Sequence, residues 1–470
     1  MHSENQTIVA QASATGRSGI AVLRISGKDT FKVFHKIILP DEIEKLQQRQ
    51  AILLNIYRFD TEKRTKTFVD KCLVLPYVAP HSYTGEDAVD IFCHGGYVVP
   101  QLILDALIDA GARMANPGEF TQRAFLNGKL DLIQAESVEA IVSSNSQAEL
   151  AFAHHHYSGQ FSREIKQLRS ELIDLMSLLE LELDFSDEDV EFADRNEVLN
   201  RLIALKKLLS KLMNSYNRSH KVREGISGAI VGKPNVGKSS LLNLLLKKER
   251  AIVTDVPGTT RDIIEESMEI SGLKFVFVDT AGIHTSSDLV EKEGIRRSRV
   301  ALESASIAIL LIDSNANLKK EDWELRQLVL DRKNDFKTTP VLLVNKCDLP
   351  KIVNDHELES FGKGFEKLNF SCKTGEHLDS LETVLTEAAR LNIGELNTGE
   401  SVLINMRQKN IITQALDAIK KSIENFQQNL SQEFISVELR HAMQYLGELI
   451  GEVSTEDILG NIFSKFCIGK

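Results

Sequence analysis

Gly232-Lys233-Pro234-Asn235-Val236-Gly237-Lys238-Ser239 follows the apolar run Gly228–Val231 and leads into Ser240–Leu246, which has helical spacing. This is G-x-x-x-x-G-K-[ST] between a strand and a helix, the context in which the pattern carries meaning. The glycines let backbone N–H groups curl around phosphate oxygens at a helix N-terminus. Lys238 supplies a point charge for the outer phosphates, and the Ser239 hydroxyl is a ligand for Mg²⁺. The competing interpretation is an ordinary Gly-rich turn, and the sequence downstream argues against it.

Asp279-Thr280-Ala281-Gly282 closes the predicted strand Phe275–Val278, and Asn345-Lys346-Cys347-Asp348 closes Val341–Val344. A carboxylate at Asp279 can hold Mg²⁺ through water, and the Gly282 N–H can sense the last phosphate. Asp348 can accept both the ring N–H and the exocyclic amino group of guanine. Adenine has an acceptor where guanine has a donor, so it is rejected. Ser371-Cys372-Lys373, after the predicted strand Leu368–Phe370, adds backbone contact to the guanine oxygen. Four motifs in order, each at the end of a strand, predict a guanine-nucleotide-binding α/β domain.

The hydrolytic apparatus departs from the Ras-like pattern. Where a glutamine would orient the attacking water, the chain has Ile283. The loop Thr254–Asp262 contains the threonine expected to reach Mg²⁺, Thr260. Arg261 is either a finger acting in cis or a surface arginine paired to Asp262. Asn235 offers a carbonyl oxygen to a monovalent cation beside the β- and γ-phosphates, and backbone carbonyls of Thr254–Thr259 would complete its shell. A K⁺ there supplies the charge that an arginine finger otherwise supplies.

The 470 residues suggest roughly three domains. With 42% hydrophobic and 26% charged residues, a disordered or fibrous chain is excluded. Apolar runs such as Ile307–Ile312 fall far short of the roughly 18 residues of a membrane span. Glu4 with no apolar block predicts no signal peptide, and five cysteines without a C-x-x-C pair predict a reducing, cytoplasmic setting. The net charge is −11, but Glu171 to Glu197 carries eleven acids against one base and accounts for nearly all of it. No long basic stripe advertises a grip on nucleic acid by this chain alone.

Residues 1–128 mix short alternating runs (Ile20–Ile25, Lys71–Leu75, Val89–Cys93) with turns at Ser26-Gly27 and Asn116-Pro117-Gly118, predicting an α+β domain. Residues 129–219 carry apolar positions at helical spacing, Leu168 to Leu181 and Leu199 to Leu212. They predict a helical hairpin broken by the acidic stretch. Residues 220–392 read as α/β, and helical spacing returns over 393–470 with Ile412, Leu416, Ile419 and Ile423 on one face. A tail of that length needs a partner to bury its apolar faces. The α/β unit is therefore expected to be inserted within a helical domain, giving a multidomain α+β architecture.

Further signatures stand outside the nucleotide motifs: Ile8-Val9-Ala10-Gln11-Ala12, Leu23-Arg24-Ile25-Ser26-Gly27, Tyr83-Thr84-Gly85-Glu86-Asp87, His94-Gly95-Gly96, the run from Pro117 to Leu132, and Phe466-Cys467-Ile468-Gly469-Lys470. With the hydrophobic residue at 283 they resemble the tRNA-modification GTPases of the TrmE-Era-EngA-type family over essentially the whole chain. Cys347 and Cys372 occupy variable motif positions, and Ser13-Ala14-Thr15 replaces a Pro-containing turn.

The resemblance implies an N-terminal tetrahydrofolate-binding and dimerisation domain, a helical domain, and a Ras-like P-loop GTPase domain inserted into it. It implies a cytoplasmic homodimer forming a heterotetramer with an FAD- and NADH-dependent partner of the MnmG (GidA) type, with tRNA held mainly through that partner and no membrane. Together they would add a carboxymethylaminomethyl group to carbon 5 of the wobble uridine. The one-carbon unit would come from 5,10-methylene-tetrahydrofolate, for which 5-formyl-tetrahydrofolate is a bound analogue. Hydrolysis would be K⁺-activated and dependent on pairing of the GTPase domains.

By the same carry-over, GTP contacts fall on Asn235, Val236, Gly237, Lys238, Ser239, Ser240, Thr254, Asp255, Val256, Pro257, Gly258, Thr259, Thr260, Asp279, Thr280, Ala281, Gly282, Asn345, Lys346, Asp348, Ser371, Cys372 and Lys373. Mg²⁺ falls to Ser239 and Thr260, and K⁺ to Asn235, Thr254, Val256 and Thr259. Folate contacts fall on Arg24, Glu86, Lys129 and Lys470, the water-orienting role on Glu291, and a covalent catalytic role on Cys467.

Taken alone, several of these residues have plainer interpretations. Arg24 is either turned inward to a partner or outward on a polar face, and Lys129 reads as an exposed turn lysine. Glu291, beside Lys292 and Glu293, reads as a solvated helix charge. Cys467, between Phe466 and Ile468, reads first as a small buried apolar residue. His154-His155-His156 point in different directions on a helix, a poor arrangement for a metal. The acidic stretch is either a solvated hairpin region or a docking surface. The rival function is a ribosome-assembly GTPase switch without modification chemistry, which would usually carry a KH module or a basic tail; neither is visible.

Overall fold

A computed structural model describes residues 6–469 apart from 45, 47, 48, 61–64, 185–194, 249–264, 279–298, 304, 337, 394–403, 429, 454, 455 and 465. The chain divides into two compact units. The first comprises Met1–Val142, Ala153–Lys206 and Ile411–Lys470, and the second Ser143–Phe152 and Lys207–Asn410.

The first unit holds strands β1 (Ile8–Gln11), β2 (Ile20–Ser26), β3 (Ile52–Asp60), β4 (Thr65–Tyr77), β5 (Ala88–His94) and β6 (Arg113–Met114). They form one sheet in the order β3-β4-β5-β2-β1-β6, antiparallel except for the β1–β6 pair. Because side chains alternate along a strand, each register row belongs to one face. The row Ile52, Val74, Ile91 and Leu23 faces a core that includes Ile103 and Leu107 of the helix Val98–Asp109. The next row, Leu53, Leu73, Phe92 and Val22, lies on the opposite face, with Leu53 54% and Leu73 41% exposed.

Helices complete this unit. Leu172, Leu175 and Leu179 of Gln160–Asp184 and Leu439, Leu446 and Leu449 of Gln432–Ile450, two helices that pack together, are buried. Each buried leucine contributes about 1.5–3 kcal/mol. The apolar stripe is narrower than the spacing suggested, since Leu181 and Leu208 are exposed. Residues 185–194 of the acidic stretch lie outside the described residues.

The second unit holds β7 (Ile226–Val231), β8 (Glu265–Ile270), β9 (Leu273–Val278), β10 (Ile307–Asp313), β11 (Thr339–Asn345) and β12 (Glu366–Asn369). The order is β12-β11-β10-β7-β9-β8, parallel except for the β8–β9 hairpin. Both faces are buried, as a parallel sheet requires. Ile307, Ile309, Leu311, Val341 and Leu343 feed one core, and Ala308, Leu310, Ile312, Leu342 and Val344 feed the other. β12 stops one residue before Phe370, which still donates its N–H to Val344 O at 2.9 Å. Among the described residues, no helix is long and apolar enough to cross a membrane.

Candidate functional site

In the second unit, parallel strands bring the loops after β7, β11 and β12 to one edge of the sheet, the edge where open α/β sheets bind ligands. β7 delivers the phosphate loop into the helix Lys238–Lys248. Asn235 (φ +65°) and Gly237 (φ +109°) adopt left-handed backbone, which lets successive N–H groups converge. A Cβ at Gly232 would stand 2.5 Å from Leu311 O, so the loop's start is packed directly on β10. The Lys238 ammonium is drawn over the loop, donating to Gly232 O and Lys233 O at 2.8 Å each. Asn235, Ser239 and Ser240 are exposed at the mouth.

Asn345, at the end of β11, ties this loop to the loop that follows β12. Its amide donates to Val236 O at 2.6 Å and its carbonyl accepts from Cys372 N at 3.0 Å, while only 2% of the residue is exposed. Asp348 is exposed, and one of its carboxylate oxygens accepts the Ser371 hydroxyl at 2.7 Å. The Ser371 hydroxyl also accepts from Thr374 N at 3.2 Å, which fixes its direction. Lys346 holds a left-handed φ of +65°, with its ammonium on Asp313 at 2.6 Å. A carboxylate held by the Ser371 hydroxyl on one oxygen suits a flat ligand that presents two adjacent N–H donors. Burial pushes the Cys372 thiol up to about 11 and also raises Cys347, so neither is a thiolate near neutrality. Thr254–Thr260, Asp279, Thr280, Ala281, Gly282 and Glu291 lie outside the described residues.

The first unit carries a separate cleft of about 770 Å³, lined by Ala12, Arg24, Tyr83, Val138, Ile141, His154, Tyr157, Ser158 and Gly469. Arg24 on β2 faces Asp90 across the β2–β5 pair and binds it with two bonds of 2.8 and 2.9 Å. Its guanidinium stands 5.4 Å from the Tyr83 ring centre. Asp90 is 4% exposed, so Arg24 is in the first place its counter-charge. The fork has five N–H donors and spends two there, which leaves three for a ligand.

The other folate candidates are placed differently. Glu86 accepts from Arg123 at 3.1 and 3.2 Å and from the Ser26 hydroxyl at 2.8 Å, in a network that Arg123 extends to Glu119. Glu86 and Lys129 are not among the lining residues, and Lys129 is exposed. Lys470 lies outside the described residues, but its neighbour Gly469 is buried at φ +101° with its Cα against Gln11 and Ala12.

Phe463 and Phe466 pack with Leu132, Ala135 and Val138 and lead the tail to this seat. Gly118 (φ +68°) lets it pass closely, because a Cβ there would stand 2.7 Å from Phe463 O. Cys467 is exposed, not buried as its apolar neighbours suggested: Phe466 takes the core position and the cysteine turns outward. Among the described residues no group of three His, Cys, Asp or Glu could hold a metal. The histidines serve otherwise: His154 lines the cleft and His156 stacks on Phe161 with ring centres 4.9 Å apart. Asp90 and Arg123 were not singled out in the sequence. An acid inside the apolar strand Ala88–His94 was the available sign.

Residues 132–467 match the family model for the MnmE helical domain, and residues 7–129 that for the GTP-binding protein TrmE N-terminus. The chain belongs to the MnmE family. A tRNA modification GTPase MnmE of Parabacteroides distasonis is 41% identical, over 99% of this chain and 100% of its own length. The MnmE of Acetivibrio thermocellus is 38% identical over 99% and 100%, and that of Syntrophus aciditrophicus 40% over 99% and 99%. A solved G domain of the T. maritima FeoB iron transporter shares 27% identity over 35% of this chain and 98% of its own, with a TM-score of 0.26, too low to bear on the fold.

Proposed function

We propose that this MnmE-family GTPase, acting in tRNA modification, uses both sites in one reaction. With a flavin- and NADH-dependent partner of the MnmG type it adds a carboxymethylaminomethyl group to carbon 5 of the wobble uridine. The one-carbon unit comes from 5,10-methylene-tetrahydrofolate held in the cleft of the first unit. The observation that carries this reading is the composition of that cleft. Arg24 offers N–H donors for the carboxylates of a folate tail, and Tyr83 and Tyr157 offer flat apolar surface for a pterin ring. Gly469 brings the tail ending in Lys470 to the same place. The folate supplies an electrophilic carbon when bound. The chain's own residues bind it, orient it and exclude water.

In the second unit Lys238 and the loop amides hold the phosphates, Asp348 and Asn345 set the base pocket, and Ser239 with Thr260 would hold Mg²⁺. A K⁺ held by Asn235 and the carbonyls of Thr254, Val256 and Thr259 would replace the arginine finger, with Glu291 orienting water in place of a side chain at 283. The domain division of this reading is 1–128, 129–219 with 393–470, and an inserted GTPase domain 220–392. The reading includes a cytoplasmic homodimer built on the N-terminal domain, to which exposed Leu53 and Leu73, with half-buried Phe92 and Val22, offer apolar area. Calorimetric titration of 5-formyl-tetrahydrofolate into the full chain tests the folate assignment. Saturable binding that Arg24→Ala abolishes is expected. No binding by the folded wild type would remove the folate chemistry and leave a GTPase with an unassigned cleft.

A further inference from the structure

The second unit contains one segment remote from the rest of it in sequence. Ser143–Phe152 belongs to this unit although the remainder begins at Lys207. Its folding is locally determined. Ser146 caps the helix Gln147–Tyr157, its hydroxyl accepting from Glu149 N at 3.2 Å, and the Glu149 carboxylate reaches back to Asn145 N at 2.6 Å. This resembles a Ser-x-x-Glu helix start, except that the glutamate takes the N–H of the residue before the cap and not that of the cap itself. The first-turn N–H groups of such a helix are not used within it, and one of them is spent on the GTPase sheet. Ala148 N donates to Gly272 O at 3.1 Å.

Gly272 is half of the two-residue turn Ser271-Gly272, at φ +50° and +81°, that joins β8 to β9 with Ile270 opposite Leu273. Both positive φ values are those of the tight hairpin turn that matches strand twist. Around this bond, Phe152 is buried in the same core as Met268, Ile270, Leu273 and Phe275, and Ala148 packs against it. The segment therefore grips the turn by a backbone bond and an apolar anchor.

The far end of the same hairpin is where it matters. Glu265 pairs with Val278, so the chain leaves both strands together at the end away from the turn, roughly 20 Å off. Val278 is joined directly to Asp279 of the Asp-Thr-Ala-Gly motif, and Glu265 follows the stretch that contains Thr260. A hairpin is stiff along its length, so its seat at the turn sets the position from which both motif segments depart.

We propose that Ser143–Phe152 is a positioning element of the GTPase, with Ala148 and Glu149 as positioning residues that act through the β8–β9 hairpin. Neither touches the phosphate loop or the base loops, so they govern the chemical step and not nucleotide capture. In the full-length protein, Ala148→Pro deletes the N–H donor in the first turn, at the added cost of restricting the backbone of Gln147, while Ala148→Ser retains it. Initial GTP hydrolysis at saturating GTP and the GTP Kd are measured for both, with thermal unfolding as the check on folding. The expected result is a kcat at least fivefold lower for Ala148→Pro with a Kd within twofold of wild type, and wild-type behaviour for Ala148→Ser. Should Ala148→Pro fail to fold, Glu149→Ala is read by the same criterion. A kcat within twofold of wild type overturns the proposal. A parallel loss of kcat and GTP affinity also overturns it, by reducing the segment to part of the domain's scaffold.

Discussion

The two units use their sheets in opposite ways. In the second, a parallel sheet buried on both faces gathers its loops at one edge, and those loops are short contiguous words of sequence. In the first, a largely antiparallel sheet is covered on both faces around β1 and β2 but leaves Leu53 and Leu73 exposed on one face of β3 and β4. Its cleft is assembled from residues near 12, 24, 83, 138–141, 154–158 and 469. A site made by backbone geometry in one loop tolerates few residue choices and is readable in order. A site made by convergence of distant segments is specified by packing, and each residue alone looks ordinary.

The largest expected effect tests the contiguous site. Asp348→Asn puts an amide N–H against a guanine donor, and GTP affinity should fall by about 3 kcal/mol, the scale of a charged hydrogen bond left unmet. Xanthosine triphosphate should bind better than GTP to that variant. Folate binding should not change, and a fall in it would break the separation of the two sites.

Arg24→Ala strikes the convergent site and should show the opposite coupling of binding to stability. It strands the buried Asp90, so unfolding measured by denaturant should lose about 3 kcal/mol. Replacing both partners, Arg24→Met with Asp90→Leu, should restore most of that stability without restoring folate binding. GTP hydrolysis should survive in both proteins. A double variant that still binds folate would mean Arg24 serves only the sheet.

The ion test is smaller. Hydrolysis should be about tenfold faster in KCl than in matched NaCl, about 1.4 kcal/mol in barrier, because the smaller Na⁺ fits a carbonyl cage less well. Asn235→Ala should erase the difference while retaining GTP binding through Lys238 and the loop amides. Equal rates in both salts for the wild type would bring Arg261 forward instead.

The smallest effect separates the units by pH. Burial, reinforced by neighbouring His155, pushes His156 down to about 3 from its ordinary 6.5. The folded chain therefore refuses a proton that the unfolded chain accepts below pH 6.5. Stability is intact above that value and declines as pH falls toward 3, by about 0.8 kcal/mol already at pH 6. His156→Phe should flatten the dependence of unfolding on pH between 6.5 and 5. An unchanged slope would place the proton elsewhere.

How much was legible follows from these particulars. The strands β7, β9 and β11 were readable because each is an apolar run ended by a motif, and β10 as an apolar run alone, the pattern a doubly covered sheet imposes. The order of the motifs carried the guanine-site proposal for the same reason. The pairing of Arg24 with Asp90 was not readable, because it depends on strand register between residues 66 positions apart. The exposure of Cys467 was also missed, since its apolar neighbours describe the segment's composition but not where the chain turns. The docking of residues 143–152 on the β8–β9 turn was not readable, because its hydrogen bond uses a backbone N–H that any residue except proline would provide and its anchor, Phe152, looks like any apolar helix residue.

Asn345 has a bearing on inhibitor discovery. It fastens the loop that follows β7 to the loop that follows β12, the proposed phosphate and guanine loops, and it is almost wholly enclosed. A fragment that occupies only the purine pocket would therefore stiffen the phosphate-binding backbone, and a pyrophosphate mimic would tighten the purine pocket in return. Two weak fragments screened separately would each be undervalued. Screening one in the presence of the other should reveal ligand efficiencies that neither shows alone, and linking them should gain more than the tether's proximity accounts for.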